Sequence, residues 1–196
     1  MHYQTTQVSS QLLRNFYANY FKTQTKYSIE HVIPQSYLKK IPKKGFQPVK
    51  DMHNLILYPI KLNIHRNNYK IVDQKELLKH PHFITYLDKY GVQLQRVPSY
   101  IEQYAMKDTF RKLFHPLDIH KGEIARVCAY MCITYPYLKA IMNSFVFDYK
   151  TLLEWNEQFP PNDYELERND FVLFHQKNEN IFITNHELVD DQIFRV

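Results

Sequence analysis

Residues Tyr27–Pro34 read YSIEHVIP. This is a short β-favouring run closed by a proline, and it carries a carboxylate and an imidazole, Glu30 and His31, side by side. Neighbouring side chains on a strand point to opposite faces, so one of these two ionisable groups is directed inward. An apolar segment that keeps such a pair has a chemical use for it. The residues that follow supply the partners that use would need.

Gln35–Lys50, QSYLKKIPKKGFQPVK, is a basic loop with two prolines and one of the chain's 3 glycines. NLILYP (Asn54–Pro59) is a second strand, stopped by Pro59. IKLNIHRNNYKI, from Ile60, reads as a short helix with Asn63 and Asn67 one turn apart. Upstream, Ser9 or Ser10 is placed to cap a helix in which Leu12, Phe16 and Tyr20 recur beside Leu13, Tyr17 and Phe21. Downstream, VQLQRVP (Val92–Pro98) reads as a strand and Glu102–Leu113 as a helix. Asp118 is expected to cap a long helix, followed by helices in YKTLLEWNEQF and DYELERNDFVLFHQKN that Pro160 and Pro161 separate. No linker-like composition divides the chain. The expectation is one α+β domain over residues 1–196, with a strand–loop–strand–helix element near 27–70 and a mainly helical part over about 100–185.

The net charge of +5 is unevenly distributed. Residues 1–80 hold 13 Lys/Arg against 4 Asp/Glu, whereas residues 81–196 hold 12 against 16. A basic half suits a polyanion, either nucleic acid or an anionic surface. No apolar run resembles a signal peptide or a membrane span, so the expectation is an unexported protein with no membrane partner. Cys128 and Cys132 lie four apart on one helical face and read as core thiols, not as a bridge, and they are too few for a four-cysteine zinc site.

Cleavage of a phosphodiester needs a base that works near neutral pH, a hard cation held against the phosphate, and positive charge to guide the backbone. His31 suits the first role. Glu30 and Asn63 offer the oxygen ligands that magnesium, calcium or manganese prefers. Lys39, Lys40, Lys43, Lys44, Lys61 and Arg66 supply the charge.

Six blocks now carry a resemblance. They are EHVIP (Glu30–Pro34), DMHNL (Asp51–Leu55), LNIHRNN (Leu62–Asn68), KGEIARVCAYM (Lys121–Met131), LLEWNEQFPPNDYELERND (Leu152–Asp170) and QKNENIFI (Gln176–Ile183). In this order the chain resembles the endonuclease I family, secreted or periplasmic non-specific nucleases of the ββα-metal (His-Me finger) superfamily. The resemblance implies a ββα-metal core, a short hairpin plus helix packed against several helices. It implies His31 as general base, Glu30 and Asn63 as ligands of one divalent cation, Mg²⁺ before Ca²⁺ or Mn²⁺, and Asn54 as the residue holding the loop between the strands. The substrate it implies is DNA, with RNA as a second candidate.

The chain departs from the pattern in three places. The family takes a phosphate-holding arginine from the loop after the first strand. Here that loop has lysines, and Lys43, Lys44 or Arg66 are the substitutes. The last block has Lys177 for a glycine and Ile181 for a proline. Exported members carry a signal peptide and disulfides, so an intracellular or virus-encoded relative is expected, its toxicity controlled by timing, partner or substrate preference. Nothing in the sequence specifies a protein partner or inhibitor.

Structural readings stand beside these. Glu123 and Arg126 are three apart and most simply form a local ion pair, with a groove contact by Arg126 as the alternative; Glu165 and Arg168 repeat the spacing. Trp155 reads as a core anchor. Two other functions stay open: a nucleic-acid-binding protein that has lost turnover, and a sequence- or structure-specific nuclease of the same superfamily.

Overall fold

The computed structural model describes residues 2–21, 27–41 and 48–196. Helix α1 (His2–Phe21) leads into strand β1 (Tyr27–His31) and the short helix α2 (Gln35–Leu38). Strand β2 (Leu55–Pro59) runs directly into α3 (Ile60–Arg66), followed by β3 (Lys70–Ile71), α4 (Gln74–Leu78) and β4 (Ile84–Leu87). Strands β5 (Ala105–Asp108) and β6 (Leu113–His115) precede α5 (Asp118–Thr134), α6 (Lys139–Phe145), α7 (Tyr149–Gln158), α8 (Asp163–Gln176), α9 (Ile181–Thr184) and α10 (Asp191–Phe194). The fold is α+β. None of the described helices is long and apolar enough to cross a membrane.

β1 and β2 pair antiparallel, with Glu30 opposite Ile56 and His31 opposite Leu55. A second sheet has the order β3-β6-β5-β4, parallel between β3 and β6 and otherwise antiparallel. Helix α5 runs through the middle. His120–Cys132 are all buried, a pattern expected of a helix covered on every side. Cys128 and Cys132 are both buried free thiols within it. Helix α7 lies close against α5 because position 122 is glycine: a Cβ there would stand 2.0 Å from the Phe159 carbonyl oxygen.

Several expectations are corrected. Helix α1 starts at His2, which puts Ser9 and Ser10 inside it; no proline or glycine interrupts the residues before them. Leu13 and Tyr17 are buried, with Leu12 and Phe16 packed beside them, while the side chains of Tyr20 and Phe21 lie outside the described residues. Helix α5 begins after Leu117, so Asp118 is its first residue and not its cap; it meets the helix dipole and pairs with Lys121 at 2.6 Å. Val92–Pro98 contributes only an isolated bridge, Leu87 to Gln93. Residues 102–113 hold strands in place of the expected helix. The segment AMKD has little β propensity, but it pairs with β4 on one side and β6 on the other, and tertiary pairing overrides local preference.

Candidate active site

Asn54 shapes the turn that presents Glu30 and His31. Its side chain accepts from the Ile33 N–H at 2.7 Å and donates to the Ile33 carbonyl at 3.1 Å, and its own carbonyl accepts from the Val32 N–H at 3.0 Å. Asn54 is fully buried, so these bonds form away from competing water. Beyond β2, Pro59 has no N–H to satisfy and stands at the head of α3, turning the chain straight from strand into helix.

Helix α3 crosses the hairpin and grips alternate residues of β1. The Asn63 amide donates to Ser28 Oγ at 3.0 Å. One turn further on, the Arg66 guanidinium donates to the Glu30 carboxylate and to the carbonyls of His31 and Val32. Ser28 and Glu30 are two apart and so share a face, leaving His31 to the other. The two ionisable neighbours therefore diverge at the strand end.

Burial pushes the Glu30 carboxyl above the ordinary carboxylate range; the Arg66 charge and hydrogen bonds from Arg66 and the His31 backbone pull it part of the way back. The anion is thus incompletely compensated, and further positive charge at this place would stabilise it. His31 is held as a neutral imidazole. Burial lowers its pKa to about 4, and the Arg66 and Lys39 charges act in the same direction against the raising effect of the Val49 carbonyl. That carbonyl can only accept, so His31 Nε2 carries the hydrogen and donates to it at 3.1 Å. The lone pair then resides on Nδ1, where the Gln35 amide donates at 3.3 Å; the 2.9 Å approach of Gln35 to Nε2 is not a hydrogen bond in this tautomer.

Glu30, His31, Gln35, Asn63 and Asn68 line one pocket of about 330 Å³, open to solvent. Among the described residues no group of three or more His, Cys, Asp or Glu could hold a metal. The oxygen donors that line it are one carboxylate, Glu30, and side-chain amides, Asn63 among them, all hard ligands. That set fits a cation that keeps much of its water, as magnesium does, and does not suit zinc.

The structure does not bring every expected residue to this pocket. Lys43 and Lys44 lie outside the described residues. Arg66 reaches the pocket wall but is only 3% exposed, and its guanidinium is committed to Glu30 and two carbonyls. This corrects the expectation of a phosphate hook: Arg66 anchors the carboxylate. Arg126 is 1% exposed and makes a two-pronged pair with Glu165, Nε at 2.8 Å and Nη2 at 2.6 Å, while Nη1 donates to Phe159 O at 2.9 Å. The groove contact is thereby corrected, and so is the local Glu123–Arg126 pair, because the partner comes from α8. Arg168 in turn donates to Tyr17 Oη and the carbonyls of Met52 and Leu55, bracing β2 against α1 and α8.

Three contributors were missed in the sequence: Ser28, Gln35 and the Val49 carbonyl. A main-chain acceptor has no sequence signal, and a serine or glutamine has little. A further network ties blocks that are distant in sequence to one another. Asp51 accepts from Tyr130 and Tyr135 at 2.9 and 2.8 Å, from the His53 N–H at 2.9 Å and from Gln176 at 2.8 Å. His53 Nε2 meets the Asn178 carbonyl at 3.1 Å. The late block is thus fastened beneath the turn that carries Asn54.

A β-hairpin capped by a crossing helix, with a carboxylate, an amide and a neutral imidazole at its mouth, is a ββα-type nuclease arrangement. The chain belongs to the endonuclease I family, which it matches over residues 2–187. No curated protein matches it significantly. The family acts on nucleic acid and is generally dependent on a divalent metal.

Proposed function

We propose that the protein is a metal-dependent endonuclease that hydrolyses phosphodiester bonds of DNA with little sequence specificity, RNA being the second candidate substrate. The observation that carries the proposal is the shared pocket of Glu30, Asn63 and His31 at the end of one hairpin. Residues 1–196 act as one nuclease unit, and Lys43 and Lys44 hold backbone phosphate by charge alone.

In this reading Glu30 and Asn63 hold one divalent cation, Mg²⁺ in the first instance. A cation bound there supplies stabilisation of charge on the scissile phosphate and the departing oxygen. His31, neutral and fixed by Val49, accepts a proton from water at Nδ1, and Gln35 gives way to that water. The hydroxide attacks phosphorus in line, the bond from phosphorus to the 3′ oxygen breaks, and that oxygen is protonated from solvent. The products carry 5′-phosphate and 3′-hydroxyl ends. Asn54 and Arg66 keep the two reacting side chains apart and aimed.

The test is a digestion panel of plasmid, single-stranded DNA and RNA, each with Mg²⁺, Ca²⁺, Mn²⁺ or EDTA. Nicking that requires metal and maps to many sites is expected. Metal-independent binding without cleavage would replace the proposal with a binding function, and cuts confined to one sequence or structure would replace the broad specificity.

A further inference from the structure

Ser28 lies two residues before Glu30 on β1, opposite Tyr58 of β2. It is half-buried beneath α3 and takes part in two hydrogen bonds of opposite sense. Its hydroxyl donates to the Tyr58 carbonyl at 3.4 Å, a long contact, and accepts from the Asn63 Nδ2 at 3.0 Å.

The polarity of this short chain follows from the chemistry of its ends. The Tyr58 carbonyl can only accept, so the Ser28 hydrogen is directed to it. What remains on the hydroxyl toward α3 is a lone pair, which only the NH₂ end of the Asn63 amide can satisfy. A flipped amide would set its oxygen against the Ser28 oxygen, or take the hydrogen away from Tyr58. The amide is therefore held with its nitrogen on Ser28 and its oxygen turned away. Asn63 Oδ1 has no protein partner among the described residues, and Asn63 lines the pocket that Glu30 and His31 share.

We infer that Ser28 is a positioning residue for cation binding: through the Tyr58–Ser28–Asn63 relay it presents the oxygen of Asn63, and not its nitrogen, to the cation. The inference rests on the reading of Asn63 as a ligand. An unconstrained amide divides its time between oxygen-in and nitrogen-in states, and the second cannot ligate. Partners that orient a ligand typically change metal affinity by roughly 10–100-fold when removed.

The test compares Ser28→Thr with Ser28→Val. These side chains have almost the same shape and both suit a strand, so they differ chiefly in the hydroxyl. Mn²⁺ affinity is measured by calorimetry, and thermal unfolding without metal monitors the fold. Ser28→Thr is expected to bind Mn²⁺ as the unaltered protein does, and Ser28→Val about 10-fold or more weakly. Cleavage by Ser28→Val should fall at limiting Mn²⁺ and recover at saturation. Combined with Asn63→Ala, Ser28→Val should add little. Equal Mn²⁺ affinity in the Thr and Val variants, with Asn63→Ala weak, overturns the relay alone. Unchanged affinity in Asn63→Ala overturns the ligand reading on which the relay rests.

Discussion

Arg66 sits on the carboxylate of Glu30, and both are almost wholly buried, at 3% and 8% exposure. The same guanidinium takes the carbonyls of His31 and Val32. One side chain thus fixes the carboxylate and the backbone that carries the imidazole. Arg66→Ala would leave a buried carboxylate unpaired and is expected to cost about 3–5 kcal/mol of stability. Arg66→Lys should not restore it, because an ammonium cannot serve the carboxylate and two carbonyls with a planar fork. Denaturant unfolding of both variants checks this, and a Lys variant of unaltered stability would refute it.

His31→Ala is expected to lose roughly 10²–10⁴-fold in cleavage rate, the usual contribution of a positioned base. Mn²⁺ affinity should be largely retained, since His31 is assigned no ligand role. Added imidazole should restore part of the rate by entering the vacated space. A variant that loses Mn²⁺ as severely as Glu30→Ala would make His31 a ligand.

Glu30→Ala and Asn63→Ala should each lose most activity at limiting metal, with partial recovery at high Mg²⁺ or Mn²⁺. Their effects on the fold should differ. The half-buried Asn63 side chain bonds only Ser28 among the described residues, whereas Glu30→Ala strands the buried Arg66. Unfolding curves should therefore leave Asn63→Ala near the unaltered protein and lower Glu30→Ala well below it.

Stability should fall in acid because buried histidines are kept neutral. Burial lowers His120 to about 4; it does the same to His53, opposed there by Asp51. Between the ordinary imidazole value of 6.5 and about 4 the unfolded chain binds more protons than the fold, so stability present above pH 6.5 is lost as pH falls through that window. Each group contributes on the order of 2–3 kcal/mol by pH 4. Glu123 acts in the opposite sense. Burial raises it to about 7, so its contribution is present below about pH 4.5 and fades as pH rises through 7. Unfolding free energy measured from pH 4 to 8 should lose less on acidification in His120→Phe and lose less as pH rises from about 4.5 to 7 in Glu123→Gln.

Gly122→Ala should disrupt the packing of α7 on α5. The added carbon would stand 2.0 Å from a main-chain oxygen and 2.7 Å from Arg126 Nη2, and a main-chain atom cannot swing aside. The expected loss is about 3 kcal/mol or more, the upper end for overpacking, read by thermal unfolding.

Much of the site was legible because its signals are local. The alternation of YSIEHVIP, the stop at Pro59 and the four-residue spacing in Ile60–Arg66 define β1, β2 and α3 without reference to the rest of the chain. Chemistry near a hairpin end needs few residues, and here they fall close together. Helices α5, α7 and α8 were equally readable from their periodicity, whereas the short helices α6, α9 and α10 gave no such signal.

What tertiary structure alone decided concerns pairing. Glu30 finds Arg66, and Arg126 finds Glu165 across 39 residues instead of Glu123 on its own helix. Spacing on one helix ranks neighbours on an exposed surface, but a buried charge goes to whichever counter-charge packing delivers. The strands at Ala105–Asp108 and Leu113–His115 likewise exist because each has a neighbour to bond with. The orientation of two side chains was beyond the sequence for the same reason. Val49 fixes the tautomer of His31 and Ser28 fixes the amide of Asn63, through contacts that only the closed hairpin and its crossing helix create. The sequence by itself offered the carboxylate, the imidazole and the amide; the fold supplied the partners that decide which atom of each faces the pocket.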